Sequence, residues 1–275
     1  TTSLAVGVEN TITVHKEINF PHSIGLLYSA FTSFAGFKVN SGEYKLMGLA
    51  PYGEPKYVSL IKDNLIDIKD DGSFHLDMSY FDYCTDLAMT NARFDALFGG
   101  PARVSEGSLT QREMDLAASI QAVTEEVVIK LARGIRQSTG QRNLCLAGGV
   151  ALNCVANGKL LRENIFDQIW IQPASGDAGG AIGAALNVYH LMLQQSRHIQ
   201  PGDGMKGAYL GPSYSQAEIE RRLKAIGAVF SIVSDEELID ETGSALAEGK
   251  AVGWHQGRME FGPRSLGARS IIADP

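Results

Sequence analysis

Two strand-loop-helix units stand one after the other near the middle of this chain, and they restrict its fold more than any other feature. Asn143 to Ala147 reads as a short buried strand, Gly148-Gly149 as a turn and Ala151 to Leu161 as a helix. The order then repeats, with a strand at Gln168 to Ile171, a glycine-rich loop at Ser175 to Gly180 and a helix at Ala181 to Leu193. Strands alternating with helices call for an α/β fold with a largely parallel sheet. Ahead of these units, Leu116, Ile120, Val123, Val127, Leu131 and Ile135 recur at three- and four-residue steps and share one helical face. Thr110 and Glu113 form a capping box at the start of that helix, and Gly140 supplies its stop. Glycine makes up 30 of 275 residues, and the excess gathers at the ends of predicted strands, a distribution suited to ligand loops.

A chain of this length accommodates two domains. Ser196 to Pro212 carries two prolines, four glycines and no helical period, so it reads as a linker between residues 1–195 and 213–275. Beyond it, Ser215 and Glu218 cap a helix whose buried face is Ile219, Leu223 and Ile226. Val229 to Val233 reads as a strand, Asp235 to Glu248 as a helix stopped by Gly249, and Lys250 to Gln256 as the next strand. At the other end, Thr1 to Val8 reads as a strand already under way, and Ser270 to Pro275 breaks off in an apolar run. Both ends therefore look like cuts in a longer chain. A formal net charge of −7 gives no basic footprint for nucleic acid or an anionic membrane. No apolar run approaches the ~18 residues that span a bilayer. Cys84, Cys145 and Cys154 form no C-x-x-C pair, which points to a reducing, cytoplasmic setting.

Four stretches carry chemistry. In Leu144-Cys145-Leu146-Ala147-Gly148-Gly149-Val150-Ala151-Leu152-Asn153, bare backbone at a helix start suits an anion, with close helix–strand packing as the alternative use of the glycines. In Pro173 to Ala185, Asp177 is a lone acid among residues too small to shield it. It is free to take a metal ion or accept hydroxyls, or else to cap the following helix. In Val39 to Gly53, Glu43 and Lys45 between glycines suit a polyol or ribose, or are solvated surface charge. In Trp254 to Ser270, Arg258, Arg264 and Arg269 within twelve residues make an anion site of planar guanidinium forks.

Taken together and in this order, "SGEYKLMGLAPYGEP", "LAGGVALNCVANGK", "PASGDAGGAIGAAL" and "GRMEFGPRSLGARSI", with Asn19 to Tyr28 upstream, resemble the NodU/CmcH-type O-carbamoyltransferases over essentially the whole chain. The resemblance implies an actin-like ASKHA (TsaD-like) domain over 1–195 and, over 213–275, the start of a YrdC-like domain. In such enzymes the YrdC-like part forms carbamoyl-adenylate from carbamoyl phosphate and ATP, and the ASKHA part transfers the carbamoyl group at an iron-type metal site. The acceptor is a hydroxylated small molecule such as a lipo-chitooligosaccharide or an antibiotic. Carried over by resemblance, Asp177 is a catalytic metal ligand. Gly148, Gly149, Asn153, Gly176, Gly179, Gly42 and Glu43 hold nucleotide, and Arg258, Arg264, Arg269 and Ser270 hold carbamoyl phosphate and ATP, on a platform separate from the cleft of Gly148, Gly149 and Asp177.

The family's paired metal-binding histidines have no counterpart here. No H-x-x-x-H occurs, and His15, His22, His75, His190, His198 and His255 read as isolated structural or surface groups. The chain by itself is therefore expected neither to bind iron stoichiometrically nor to carbamoylate. The rival readings are an ASKHA-type ATPase or sugar kinase, which has no use for the arginine motif, and a nucleotide-binding piece without activity of its own.

Overall fold

The computed structural model describes residues 1–105, 107–198 and 201–273. The chain divides into two compact units, Thr1–Gln172 and Pro173–Pro275. Residues 199 and 200 of the predicted linker, and 274 and 275 of the terminal apolar run, lie outside the described residues.

The first unit opens with the antiparallel hairpin of β1 (Thr2–Val8) and β2 (Thr11–Ile18), whose β-branched Thr11, Ile12, Thr13 and Val14 favour the pleated backbone. Helix α1 (Ile24–Phe34) starts at Ser23, whose hydroxyl accepts the Leu26 amide at 3.2 Å. Helices α2 (Glu43–Leu49) and α3 (Val58–Asn64), the hairpin of β3 (Ile66–Ile68) and β4 (Phe74–Leu76), and α4 (Ala92–Leu97) lead to α5 (Gln111–Thr139). The long helix has the predicted bounds. The Glu113 carboxylate accepts the Thr110 amide at 3.0 Å in a capping box, and Gly140 closes the other end in the left-handed region at φ 67°.

The apolar stripe of α5, Leu116, Ile120, Val123 and Val127, is buried against Leu27, Phe31 and Phe34 of α1, Leu46 of α2 and Ile61 of α3. Phe94 of α4 packs against the rings of Phe31, Phe34 and Phe98 at centroid distances of 5.2, 5.0 and 4.7 Å. Parallel pairing is confined to one place among the described residues. There, β5 (Asn143–Leu146) pairs with β6 (Gln168–Ile171) through the crossover helix α6 (Cys154–Arg162). The other described sheets are two-stranded and antiparallel, so the expected largely parallel sheet is corrected to a mixed α/β arrangement of small sheets. The reason is connection length: short turns join β1 to β2 and β3 to β4, and only a long crossover lets strands run parallel. Nor is β5 buried throughout, since Leu144 packs with Leu160 and Phe166 while Cys145 on the opposite face is exposed.

The Ala50–Lys56 segment is stapled to α5. Buried Asp115 accepts the Glu54 amide at 2.8 Å and the Lys56 ammonium at 2.9 Å, and Ser119 Oγ accepts the Tyr57 amide at 3.0 Å. Hydrogen bonding by the Glu54 amide, against a burial cost, holds the Asp115 carboxyl below its ordinary value. The segment lies so close that a Cβ on Gly53 would sit 2.0 Å from the Met114 carbonyl oxygen. Gly53→Ala must push backbone from backbone, and it is expected to cost about 3 kcal/mol in urea unfolding. Wild-type stability in that variant would show that the close approach is not required.

The second unit begins with α7 (Asp177–Asn187), which runs into a wider π-type turn at Val188–Met192 in place of the single helix expected to Leu193. After α8 (Gln216–Ala225) and α9 (Asp235–Ala247), capped by Ser215 and Ser234, come the antiparallel strands β7 (Val252–His255) and β8 (Arg269–Ile272). Val229 to Val233 is not a strand: it has no pairing partner among the described residues, and Val229 stands fully exposed. The face of α8 expected to be buried is also open, with Ile219 39% and Ile226 78% exposed. The buried apolar side chains among the described residues of this unit are alanines, namely Ala174, Ala208 and Ala268. Hydrogen bonding therefore carries much of its local order. No described helix of either unit is long and apolar enough to cross a membrane.

Candidate functional site

Strand β5 delivers the chain to Gly148 and Gly149, both exposed. Gly148 adopts φ 95°, ψ 161°, a conformation that side-chain-bearing residues avoid. No described atom lies within 4 Å of where a Cβ would stand on either glycine, so helix–strand packing does not explain them. The expected direct entry into a helix is corrected. A 3-10 turn at Gly149–Leu152 intervenes, and α6 begins only after Asn153. The cause is the side chain of Asn153, whose Oδ1 accepts the Ala156 amide at 3.0 Å and so closes the helix N-terminus. Asn153 is buried, and its amide also pairs with Gln121 of α5.

Asp177 belongs to the second unit, at the first position of α7. The N-cap is Gly176, which makes no side-chain capping bond, and Asp177 is exposed, so capping is not its employment. The Cβ position of Gly176 is likewise open, while Gly179 donates its amide to the Gly176 carbonyl at 3.1 Å. Just before them, the Ser175 hydroxyl is buried without a hydrogen-bond partner among the described residues. The metal implied by the resemblance does not find a complete site here. Asp177 is one oxygen donor, and among the described residues no three of His, Cys, Asp and Glu converge. The histidines are not all isolated, however: His22 and His75 stack with ring centroids 3.7 Å apart, and His22 Nδ1 accepts the Leu76 amide at 3.2 Å. Burial and the neighbouring His75 hold the His22 pKa below its ordinary value.

The arginine motif forms a self-stapled loop between β7 and β8. At its centre lies Glu260, whose side chain is fully buried. Glu260 Oε1 accepts the amides of Leu266 at 2.7 Å and Ala268 at 2.8 Å. Burial pushes its carboxyl upward, but the amides of Ala268 and Leu266 outweigh this and draw it down to about 2. Arg269 pairs with Glu260 at 3.5 Å and donates to the carbonyls of Glu260 at 2.8 Å and Gly262 at 2.7 Å, so its guanidinium is engaged in shaping the loop. Arg258 donates to the Gly211 carbonyl at 2.7 Å and lines a shallow depression of about 340 Å³ with Tyr209 and Gln256. Arg269 and Ser270 line a second depression, of about 300 Å³, with Trp254 and His255. Arg264 is half-buried. The arginine loop and Asp177 both belong to the second unit, and a Cβ on Gly262, at φ 123°, would lie 2.8 Å from the Pro173 carbonyl oxygen.

In the first unit Gly42 is buried, with the Lys38 carbonyl 2.7 Å from its Cβ position, so its small size is accounted for by packing. Glu43 opens α2, and its Oε1 accepts from Ser29 Oγ at 2.8 Å and the Asn40 amide at 2.9 Å. Two residues escaped the sequence reading. Glu260 was hidden as one acid among three arginines, although a single carboxylate amid several guanidiniums was itself a signal. Gln121 was passed over as a polar residue next to the buried Ile120.

Profiles of known families match both ends of the chain: one for the carbamoyltransferase N-terminus covers residues 1–186, and one for the carbamoyltransferase C-terminus covers residues 243–275. The chain belongs to the carbamoyltransferase family. It is 64% identical over its whole length to an uncharacterized protein of Synechocystis, covering 45% of that protein. It is 36% identical to nodulation protein NolNO of Sinorhizobium fredii and 35% identical to nodulation protein NolO of Bradyrhizobium diazoefficiens, over 99% of this chain in each case and 38% and 47% of theirs. The chain thus spans less than half the length of these relatives.

Proposed function

We propose that the protein to which this chain belongs is an O-carbamoyltransferase that takes the carbamoyl group of carbamoyl phosphate, through carbamoyl-adenylate made with ATP, to a hydroxyl of a small molecule. The observation that carries the reading is the bare backbone at Gly148, Gly149 and Gly176, where, neighbours in the chain aside, no atom of the described residues lies within 4 Å of the place a side chain would start. Ligand approach gives those glycines a purpose. The unpartnered Ser175 hydroxyl beside Asp177 and the arginine-lined depressions supply further groups for a phosphate-bearing substrate.

In the transfer step the acceptor oxygen attacks the carbamoyl carbon, the bond from that carbon to the adenylate phosphate oxygen breaks, AMP leaves and the hydroxyl proton passes to water. In the first unit, the glycine turn's exposed backbone suits a phosphate such as that of the adenylate; in the second, taken by itself, the exposed Asp177 carboxylate suits a hydroxyl. The relatives are named as nodulation proteins, which is in keeping with the lipo-chitooligosaccharide acceptor that the family resemblance implies. The test is the whole enzyme incubated with labelled carbamoyl phosphate, ATP and hydroxylated acceptors. AMP and a carbamate ester are expected, each requiring both co-substrates. ATP turnover indifferent to carbamoyl phosphate would instead establish an ATPase or a sugar kinase.

A further inference from the structure

We propose that Gln121 is a positioning residue that sets the Gly148–Gly149 turn from the long helix α5, an inference that rests on the reading of that turn as the nucleotide loop. Gln121 is buried, and all four of its amide's hydrogen-bonding sites are used. Its Oε1 accepts from Asn153 Nδ2 at 2.9 Å and from Tyr28 Oη of α1 at 3.1 Å. Its Nε2 donates to Asn153 Oδ1 at 3.1 Å and to Glu125 Oε1 at 2.8 Å.

The direction of this chain of bonds is dictated at both ends. A carboxylate only accepts, so Glu125 must face the NH2 of Gln121 with one oxygen, while its other oxygen, Oε2, accepts from Lys159 Nζ at 3.1 Å. A backbone amide only donates, so the Ala156 N–H must face Asn153 Oδ1. Between those fixed ends neither amide can turn over without losing bonds, and an unmade bond in a buried network is costly. The result is a closed circuit from the start of α6 at Asn153, through Gln121 and Glu125 of α5, back to Lys159 of α6. The 3-10 turn hangs from this circuit, with the Ala151 amide on the Gly148 carbonyl and the Asn153 amide on the Val150 carbonyl, both at 3.0 Å. Asn153 therefore serves the turn from behind, and what faces a ligand is the backbone of Gly148 and Gly149.

The test compares Gln121→Leu and Tyr28→Phe with wild type in the whole enzyme, reading amide hydrogen exchange at Ala151 and Asn153 together with the ATP dependence of turnover. In Gln121→Leu, exchange at those amides should quicken about tenfold while β5 and β6 keep their protection, and KM for ATP should rise about tenfold with kcat within about twofold, as expected for the loss of roughly one buried hydrogen bond. Tyr28→Phe should move both readouts the same way by less. Should Gln121→Leu fail to fold, Glu125→Gln, which frees the Gln121 amide to turn, carries the same expectation. Unchanged exchange at Ala151 and Asn153 in a folded variant overturns the proposal. Quickened exchange in an enzyme that does not use ATP would uphold the positioning role and refute the nucleotide reading of the turn.

Discussion

Glu260→Ala should unravel the arginine loop and cost roughly 2–4 kcal/mol, chiefly the penalty for leaving two amide donors without their buried acceptor. The amides of Leu266 and Ala268 lose their acceptor, and the Arg269 guanidinium is left without its carboxylate. In a large core such a loss would be spread over neighbours, but the buried apolar residues among those described in the second unit are three alanines. Equilibrium urea unfolding measures the cost. Glu260→Gln separates its parts, since the amide oxygen still accepts from both N–H groups and only the charge is lost, so it should cost less than half as much. Equal losses in the two variants would show that the charge, and not the pattern of acceptors, organises the loop. Use of carbamoyl phosphate should fall in Glu260→Ala, because Arg258 and Ser270 stand at the rims of depressions that this loop builds.

The same carboxylate sets a pH dependence. Its folded value of about 2 lies below the ordinary 4.5, so Glu260 contributes stability that is fully present above pH 4.5 and is lost as pH falls toward 2. Asp115, held below its ordinary value by the Glu54 amide, acts in the same direction for the Ala50–Lys56 segment. Acid should therefore loosen the two stapled loops, while Glu260→Gln should flatten the acid limb of the second unit.

How much of this was legible from residues alone depended on whether a feature is local. The α5 bounds were readable because Thr110, Glu113 and Gly140 act within a turn of the helix. Strands β5 and β6 and helix α9 were readable for the same reason, through their apolar runs and through Gly249 as the stop of α9. Pairing is non-local. Val229 to Val233 has the composition of a strand yet pairs with no described residue, and the face of α8 has the spacing of a buried helix yet only Leu223 is half-buried while Ile219 and Ile226 are exposed. The glycine turn was recognised, but the role of Asn153 depends on Gln121, thirty-two residues earlier, which no spacing rule connects to it. The bond from Arg269 to Gly262 and the close approach of Gly262 to Pro173 were equally out of reach, and they tie the arginines to the Asp177 loop.

Asp177→Asn should leave the fold nearly untouched and remove carbamoyl transfer. The structural cost is bounded by geometry, because the side chain is exposed, Gly176 holds the capping position, and what remains is the attraction of an acid for the first turn of α7. That attraction is worth about 0.3–1 kcal/mol at an exposed helix end. A change of activity far beyond this cannot be a change of stability. If the carboxylate meets the acceptor hydroxyl or a bound cation, exchanging its charge for a neutral amide of the same shape should reduce turnover by about 10²–10³, the scale of losing one preorganised electrostatic contact in a transition state. The measurements are urea unfolding and carbamate ester formation on the same preparation of the whole enzyme, with Asp177→Glu as the charge-preserving control. Turnover within about threefold of wild type in Asp177→Asn would remove Asp177 from the reaction and leave the open glycines around it to serve nucleotide binding alone.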